Sequence, residues 1–185
     1  MTQAQLTVLA GPTAVGKGTV VAALTRRYPQ LRVSVSATTR APRPGEKEGV
    51  HYFFVSPQEF DDMIERGDML EWALVHGTNK YGTPRGPVDE SLNAGVPVLL
   101  EINLDGARQV RATRPDACFI FLAPPSWEEL ERRLIGRGTE GPEERERRLR
   151  TARIEMEAAS EFDHVVINDD IERTVDELAG LIGLE

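Results

Sequence analysis

The sequence predicts a three-layer α/β fold with a central parallel five-stranded sheet, and two observations support that prediction. Short apolar runs alternate with segments whose apolar residues recur every three or four positions, which is typical of strands followed by helices. The runs are apolar nearly throughout, as expected for strands that helices cover on both faces. The predicted strands are residues 6–10, 32–36, 96–103, 117–123 and 164–168.

The first strand leads into a glycine-bearing loop and then into a helix predicted over residues 20–28. This order aims several backbone N–H groups and the positive end of the helix at one point, where Lys17 adds a full charge. The loop is therefore predicted to hold the phosphates of a nucleotide; the alternative is a glycine-rich turn that binds nothing. Its residues are Gly11, Pro12, Thr13, Ala14, Val15, Gly16, Lys17, Gly18 and Thr19.

This phosphate loop, residues 11–19, departs from the strict pattern at one position. The pattern has Ser or Thr directly after the lysine, whereas this chain has Gly18 and brings the hydroxyl one residue later, at Thr19. A magnesium ion that arrives with the nucleotide is therefore expected to be held by phosphates, water and an acid elsewhere in the chain.

Residues 37–86 interrupt the alternation of strands and helices. They open with a proline- and glycine-rich stretch at 41–45, after which two alternating segments flank one short helix. We interpret this region as a small inserted α+β unit. The alternating segments are 51–55 and 69–76, and the helix carries Phe60, Met63 and Ile64.

Residues 126–161 form a second interruption. A helix predicted after the capping residue Ser126 is followed by a glycine-rich stretch at 136–142 and then by a charged helix. Glycines on both sides of an arginine suit a hinged flap that carries cations onto a ligand. The first of these helices presents Trp127, Leu130 and Leu134 on one face, and the last helix of the chain presents Ile171, Val175, Leu178 and Ile182.

Composition limits the classes of function that this chain can have. Its 185 residues suffice for one core, and 40% hydrophobic with 28% charged residues is typical of globular proteins. The formal charge of −8 argues against a nucleic-acid partner. Arginines nevertheless cluster between Arg132 and Arg153, and Arg40 stands close to Arg43, which indicates local binding of a small polyanion.

Nothing in the sequence predicts a membrane or secretory protein. No apolar run approaches the length of a bilayer span, and the first residues lack the basic and apolar regions of a signal peptide. The single cysteine, Cys118, excludes an internal disulfide and lies in a predicted strand. We therefore expect a cytoplasmic protein in a reducing compartment.

Taken together and in order, the motifs of the chain resemble those of bacterial guanylate kinases over nearly its whole length. The resemblance implies a P-loop kinase core with an inserted GMP-binding subdomain and a helical lid. It is carried by residues 11–19, 34–43 (SVSATTRAPR), 51–54 (HYFF), 71–73 (EWA), 81–83 (YGT), 136–140 (GRGTE) and 166–170 (VINDD).

Members of this family convert GMP to GDP with ATP, in purine nucleotide metabolism and GMP recycling. The resemblance therefore implies ATP and GMP or dGMP as substrates, Mg²⁺ carried with ATP, and in-line transfer of the γ-phosphoryl group with arginine stabilisation. It implies one domain over 1–185, with a core of 1–36, 87–125 and 162–185, a GMP-binding insertion of about 37–86 and a lid of about 126–161.

The GMP phosphate is assigned to a small group of basic and hydroxyl side chains. Planar guanidinium groups such as those of Arg40 and Arg43 match phosphate oxygens with paired hydrogen bonds, although on position alone both could be solvated loop charges. The resemblance adds Tyr52 and Tyr81 as hydroxyl donors to the same phosphate.

Recognition of guanine is assigned chiefly to Glu71, which by itself could equally be an exposed charge on a strand. Guanine presents N–H donors on one edge, whereas adenine would present an unprotonated N1 to this carboxylate and leave it facing an acceptor. The resemblance places Ser36 and Thr83 as hydroxyl partners of the base.

Two departures from the family concern neighbouring positions. The family pattern of two acids around one residue is here Glu101, Ile102 and Asn103; Glu101 is expected near the base or, indirectly, the magnesium shell, and Asn103 is expected to accept from the guanine amine. The chain also has one residue more than usual between Glu71 and Tyr81, and we assign no role to residues 78–80.

The resemblance places the transferring phosphoryl group near lid arginines. Arg137 and Arg148 are expected to reach it and Arg133 to join them on the ATP side, so that the catalytic set is Lys17, Arg40, Arg137 and Arg148. Asn168 is assigned to the adenine side of ATP.

Two other functions remain open at this level. One is a non-catalytic guanylate-kinase-like module that binds phosphopeptides, which would not need Lys17. The other is a monophosphate kinase for another base, for which Glu71 would not determine the substrate. The sequence does not predict an oligomeric state.

Overall fold

The computed structural model describes residues 4–136 and 140–185, which form nine strands and seven α-helices. Within these residues no helix is both long and apolar enough to cross a membrane. The strands are β1 (Leu6–Ala10), β2 (Arg32–Val33), β3 (Ala37–Thr38), β4 (Phe53–Phe54), β5 (Met69–Val75), β6 (Asn79–Pro84), β7 (Val98–Glu101), β8 (Cys118–Ala123) and β9 (His164–Ile167). The helices are α1 (Lys17–Arg27), α2 (Pro57–Glu65), α3 (Arg85–Asn93), α4 (Leu104–Thr113), α5 (Trp127–Ile135), α6 (Pro142–Glu157) and α7 (Ile171–Ile182), and a 3-10 turn covers Ala158–Glu161.

The central sheet has five parallel strands in the order β2-β7-β1-β8-β9, which confirms the predicted fold class. β1 lies in the middle, with Val8 paired to Leu100 on one side and to Phe119 on the other. Because parallel strands all end at the same edge, the loops that follow β1, β7, β8 and β9 meet there.

Helices cover both faces of this sheet, so its strands alternate between two hydrophobic clusters. Leu9 and Ile120 pack on the face covered by α1 and α7, whereas Val8 and Phe119 pack on the face covered by α3 and α4. The side chain of Leu24 on α1 is fully buried. Each such burial contributes about 1.5–3 kcal/mol, which holds the three layers together.

The second sheet is mixed and has the order β4-β3-β6-β5. It packs on α2 through a separate cluster built around Phe60, which is fully buried. α2 begins with a capping box, in which Ser56 accepts from the Glu59 backbone N–H and the Glu59 carboxylate accepts from the Ser56 N–H. This region therefore has a hydrophobic centre of its own.

The helices α5 and α6 pack on each other through a fourth, smaller cluster. Leu130, Leu134 and Ala152 are its buried members, and Ala14 of the phosphate loop packs against them. The Ser126 hydroxyl accepts from the Glu129 N–H at 3.2 Å, so the predicted cap of α5 is confirmed.

Several boundaries differ from the sequence prediction. The predicted strand 32–36 is only β2, since the chain passes into the second sheet at Ala37, where it pairs with Phe53 and Gly82. The helix after the phosphate loop begins at Lys17 rather than at residue 20, because the left-handed Gly16 (φ +96°) is its N-cap. The strands β4 and β7 are shorter than predicted.

Four elements have no counterpart in the sequence prediction, namely β3, β6, α3 and α4. β6 contains Lys80 and Gly82 and lacks a strong alternating pattern. In α4, Asp105 and Arg108 are exposed, and only the short spacings of Leu104, Ala107 and Val110 mark its buried face. Their positions depend on contacts with distant parts of the chain.

We predict that Phe60→Ala destabilises the second sheet selectively. Removing a fully buried phenyl ring lowers the free energy of unfolding by about 3–5 kcal/mol, because it leaves a cavity in the small cluster. Hydrogen exchange measured by mass spectrometry should show loss of protection in β5, β6 and α2, with β1 and β8 still protected. Leu178→Ala in the central core is the matched variant, and equal loss of protection in both sheets with Phe60→Ala would contradict the prediction.

Candidate active site

The phosphate loop follows β1 at the edge where the parallel strands end. Gly11 passes so close to β8 that a Cβ there would lie 2.4 Å from the Leu122 carbonyl oxygen, so no other residue fits without moving the backbone. Ala14 (φ +71°) and Gly16 (φ +96°) both have left-handed backbone, and no side chain caps the start of α1. The first N–H groups of α1 are therefore open to an anion.

Lys17 stands at the first position of α1. Its ammonium donates to the Gly11 carbonyl oxygen at 2.8 Å, which holds the side chain back over the loop. Burial lowers the pKa of Lys17, while the nearby charges of Glu155 and Glu101 act in the opposite direction. A partly desolvated cation of this kind binds a phosphate more strongly than an exposed lysine does.

Two side chains from other elements hold the loop through one carbonyl group. The Val15 carbonyl oxygen accepts from Asn168 Nδ2 at 2.8 Å and from the Arg133 guanidinium at 3.2 Å. The amide oxygen of Asn168 in turn accepts from the Thr174 hydroxyl at 3.3 Å. The buried side chain of Asn168, which follows β9, therefore links the phosphate loop to α7. Its assignment to the adenine side of ATP stays a prediction.

Glu101 lies at the carboxyl end of β7, beside the loop. A Cβ at Gly18 would be 4.0 Å from Glu101 Oε1, so the carboxylate faces the position that the strict pattern fills with a hydroxyl. A carboxylate next to a phosphate site is the kind of ligand that Mg²⁺ prefers. Within the described residues, no group of three or more His, Cys, Asp or Glu side chains is placed so that it could hold a metal ion.

Glu71 is the most buried carboxylate of the site, with 8% of the residue exposed. A bulge in the pairing of β5 with β6, between Met69 and Glu71, sets Glu71 directly opposite Thr83. The Thr83 hydroxyl donates to Glu71 Oε1 at 2.7 Å. Burial raises the pKa of Glu71, and the hydrogen bonds from Thr83 only partly offset that rise.

Of the two other side chains assigned to the base, Asn103 lies near this carboxylate, since a Cβ at Gly106 would be 3.0 Å from Glu71 Oε2 and 3.2 Å from Asn103 Oδ1. Asn103 caps α4, and its Oδ1 accepts from the Gly106 N–H at 2.8 Å. The main chain of Ser36 accepts from the Phe53 N–H at 2.9 Å, at the start of β3. The expected guanine contact of Asn103 is compatible with its second lone pair, and like that of Ser36 it stays a prediction.

The structure brings Arg40, Tyr52 and Tyr81 into one cluster. Arg40 Nε donates to the Tyr81 hydroxyl at 3.2 Å, and its guanidinium carbon lies 5.3 Å from the centre of the Tyr52 ring. The two tyrosine rings are 5.9 Å apart in an edge-on arrangement. Arg43 is exposed on the loop that follows. Two tyrosine rings and a fixed guanidinium therefore lie in one cluster, and side chains of these types suit a phosphate.

Sequence reasoning missed Glu46, which pairs with this cluster. Its two carboxylate oxygens accept from the Arg40 guanidinium at 2.8 and 2.9 Å, and Oε1 also accepts from the Arg43 N–H at 2.7 Å. The hydrogen bonds from Arg40, followed by that from Arg43, lower the pKa of Glu46 to about 2. An acid three residues after Arg43 in a proline- and glycine-rich loop is the signal that could have indicated it.

The lid arginines are also paired with carboxylates. Arg148 contacts Glu140 at 2.5 Å and Glu144 at 3.4 Å, and Arg133 contacts Glu129 at 3.1 Å. Arg137 lies outside the described residues. Arg133 and Arg148 nevertheless line one open cavity with the phosphate loop, whose other lining residues are Thr13, Ala14, Gly16, Leu134 and Gly136.

Comparisons with known proteins show which family this chain resembles. The family model described as guanylate kinase matches residues 3–185. The guanylate kinase of Thermobifida fusca is 60% identical over 178 residues, which cover 96% of this chain and 90% of that protein. The guanylate kinase of Cutibacterium acnes is 55% identical over 177 residues, with coverage of 96% and 89%.

Solved structures give the same result at lower identity. The crystal structure of guanylate kinase from Anaplasma phagocytophilum superposes with a TM-score of 0.73 at 33% identity, covering 99% of this chain and 86% of that one. A shikimate kinase from Bacteroides thetaiotaomicron has a TM-score of 0.52 at 16% identity, with 97% and 98% covered, and this likeness concerns the fold alone.

Opposite pKa shifts of two carboxyls predict opposite effects of pH on stability. Glu71 has a raised pKa, so the folded state holds its proton more tightly than the unfolded chain, and stability is lost as pH rises between the two values. Glu71→Gln should therefore stabilise the protein more at pH 7 than at pH 4, as measured by denaturant unfolding.

Glu46→Gln is the matched control for this measurement. The pKa of the wild-type Glu46 carboxyl is lowered, so the ionised carboxylate stabilises the folded protein above the unfolded pKa. That stabilisation is lost as pH falls towards about 2. This variant should destabilise the protein at pH 7 and do so less as the pH falls below 4.5. A Glu71→Gln effect with the same sign and pH trend as that of Glu46→Gln would contradict the analysis.

Proposed function

The chain belongs to the guanylate kinase family, and we infer that it is a phosphotransferase that converts GMP to GDP with ATP. The observation that carries this inference is the buried carboxylate of Glu71, paired with Thr83, in a chain whose phosphate loop also leads Lys17 into the start of α1. The proposed contacts are to the base and the phosphate, and dGMP differs from GMP only in the sugar. We therefore propose that dGMP is accepted as well. The reaction belongs to purine nucleotide metabolism and GMP recycling.

We propose that the chain divides according to its substrates. The core is 1–36, 87–125 and 162–185, the GMP-binding insertion is about 37–86 and the lid is about 126–161. The separate hydrophobic clusters of the second sheet and of α5 with α6 support this division. Since α3 begins at Arg85 and packs on the central sheet through Val88, the insertion ends close to Pro84.

ATP is bound at the phosphate loop. Backbone N–H groups at the start of α1 bind the β- and γ-phosphates, and Lys17 exchanges the Gly11 carbonyl for a phosphate oxygen. Thr13, Ala14, Val15 and the other loop residues thus act mainly through their main chain.

GMP is bound by the insertion. The Glu71 carboxylate accepts from the N–H groups of the guanine edge, with Ser36, Thr83 and Asn103 around it and Glu101 at its border. The GMP phosphate takes the place of the Glu46 carboxylate on Arg40 and gains Tyr52, Tyr81 and Arg43. An adenine in this position would leave a buried carboxylate without a donor, which is the basis of base selection.

We propose that Mg²⁺ accompanies ATP and is held partly, through water, by Glu101. The ion neutralises charge on the β- and γ-phosphates when it is bound. Glu101 lies beside Gly18 and is exposed, so it can accept hydrogen bonds from coordinated water. Thr19, in the first turn of α1, supplies the only hydroxyl of the loop after Lys17.

Transfer of the phosphoryl group depends on alignment and charge. A GMP phosphate oxygen attacks the γ-phosphorus in line with the departing ADP oxygen, through a loose transition state that needs no strong base. Lys17 and Arg40 bind the two reacting phosphates, and Arg133, Arg137 and Arg148 are brought to them by closure of the lid. Arg148 exchanges Glu140 and Glu144 for phosphate oxygens in that step.

We propose the cytoplasm as the place of this reaction, where both nucleotides are available. The rival functions receive no support of their own. Lys17 and the loop are present as a kinase needs them, and Glu71 is buried where a solvated charge would be exposed.

The substrate assignment is tested by the rate of ADP release from ATP with GMP, dGMP, AMP or UMP as acceptor. GMP and dGMP should be phosphorylated, and AMP and UMP should react at least about 100-fold more slowly in kcat/KM, because adenine presents an acceptor to Glu71 and the smaller uracil ring offers it only one N–H donor. A preference for AMP over GMP would overturn the assignment of Glu71.

Lys17→Met should lower kcat by at least about 100-fold, because a preorganised charge that stabilises the transition state is removed. The same variant should unfold at an equal or higher temperature, since burial disfavours the charged lysine. Steady-state kinetics and thermal unfolding of the two proteins check both outcomes. Retention of wild-type kcat would contradict the role of Lys17, whereas loss of folding would contradict the stability argument.

A further inference from the structure

A glycine in α4 lies against the carboxylate assigned to guanine. A Cβ at Gly106 would be 3.0 Å from Glu71 Oε2, 3.2 Å from Asn103 Oδ1 and 3.3 Å from Ile102 Cβ. Gly106 is buried and its φ is not positive, so the backbone itself does not require glycine here. What the glycine provides is space for the Glu71 carboxylate beside the first turn of the helix.

One turn further along the same helix, Gln109 is bonded to the residue after Glu71. Its Oε1 accepts from the Trp72 N–H at 3.0 Å, and its Nε2 donates to the Trp72 carbonyl oxygen at 2.9 Å. β5 is the edge strand of the second sheet, so its outward backbone groups have no neighbouring strand. The Gln109 amide thus takes the place of a strand partner at this point.

These two residues share one face of α4 because they are three positions apart. They contact two successive residues of β5, Gly106 at Glu71 and Gln109 at Trp72, directly after the bulge between Met69 and Glu71. A bulge interrupts regular pairing, and the strand there needs other contacts to fix its direction. Gln109 holds the main chain after Glu71, and Gly106 leaves room for its side chain.

We propose that Gly106 and Gln109 are positioning residues that hold Glu71 in place to select guanine. The proposal rests on the proposed function, because it assumes that Glu71 accepts from the guanine edge. α4 belongs to the central three-layer core through Ala107 and Val110, whereas Glu71 lies in the second sheet. α4 therefore couples the base-reading carboxylate to the body that carries the phosphate loop.

The chemical consequence concerns the 2-amino group of guanine. Hypoxanthine has the same N1–H and O6 and lacks only that group, so the ratio of kcat/KM for GMP to that for IMP reports how well the carboxylate is aligned with it. Thr83 holds Oε1, and Oε2 is the oxygen nearer to Gly106. A methyl group at 106 must push Oε2 away, and a small displacement of a hydrogen-bonding group is enough to lose selectivity.

The experiment compares Gly106→Ala and Gln109→Leu with wild type and with Glu71→Gln. Gly180→Ala is the matched control, because it also adds a methyl group to a helical glycine and no atom lies within 4 Å of the new Cβ. For each protein, kcat and KM are measured for GMP, IMP and ATP. Gln109→Leu keeps the test valid if Gly106→Ala does not fold.

We expect KM for GMP to rise by about tenfold in both α4 variants and the GMP to IMP ratio to fall by a similar factor. KM for ATP and kcat at saturating GMP should stay within about twofold of wild type, and Gly180→Ala should match wild type throughout. A merely structural role for α4 would change ATP and GMP parameters alike.

The outcomes separate this proposal from the proposed function. If Glu71→Gln lowers the GMP to IMP ratio and both α4 variants leave it unchanged, the positioning role is wrong and the function stands. If the α4 variants lose kcat and ATP affinity together with GMP affinity, the role is also wrong. If wild type does not phosphorylate GMP, or if Glu71→Gln keeps the ratio, the assignment of Glu71 fails and this proposal with it.

Discussion

The negative charge of the two substrates is the main constraint on this structure, because the protein must bring two phosphate-bearing molecules together at one point. The basic groups assigned to their phosphates are held by carboxylates of the chain: Arg40 by Glu46, and Arg148 by Glu140. The Arg148 side chain is 42% exposed, whereas those of Arg40 and Glu46 are only 13% and 19% exposed, so the pair of Arg40 with Glu46 is the stronger of the two. A phosphate offers the same guanidinium more oxygen atoms and more negative charge than a carboxylate does, so it can replace either carboxylate, and the acidic net charge of −8 does not prevent anion binding.

The carboxylate that we propose to bind guanine follows the opposite rule. Glu71 is buried and has the Thr83 hydroxyl as its side-chain donor, so its charge is poorly compensated within the protein and its pKa is raised. A base with N–H donors completes the hydrogen bonding of this carboxylate, and a base with an acceptor there does not. In the proposed function, affinity for phosphate comes from ion pairs that the phosphate can exchange, whereas selection of the base comes from one buried carboxylate whose hydrogen bonding is incomplete.

Local sequence patterns were sufficient for much of the architecture. The central strands are continuous apolar runs, and the phosphate loop is a contiguous motif, so both follow from neighbouring residues. The second sheet was harder, because β6 owes its place to pairing with Glu71 and Trp72 rather than to its own pattern, and Gly82 on it admits no Cβ between these residues. The helix α4 shows the same limit, since its buried face is marked by few large apolar residues.

The assignments that came from residue type and motif order point to groups that the structure brings together, notably Arg40 with Tyr52 and Tyr81. Those that depend on contacts between distant segments could not be predicted. Glu46 was missed because its partners are defined by the shape of a loop, and Gly106 and Gln109 because they act on β5 from 35 to 37 positions away. Asn168 was assigned to a ligand, whereas its bonds here are to the loop and to Thr174.

A crystal structure of the protein with GMP is the most direct measurement of the central claim. The account predicts that the guanine edge donates to the Glu71 carboxylate and that the phosphate replaces Glu46 on Arg40, with the hydroxyl groups of Tyr52 and Tyr81 on the same phosphate. A complex in which Glu46 keeps Arg40, or in which the base lies away from Glu71, would contradict it.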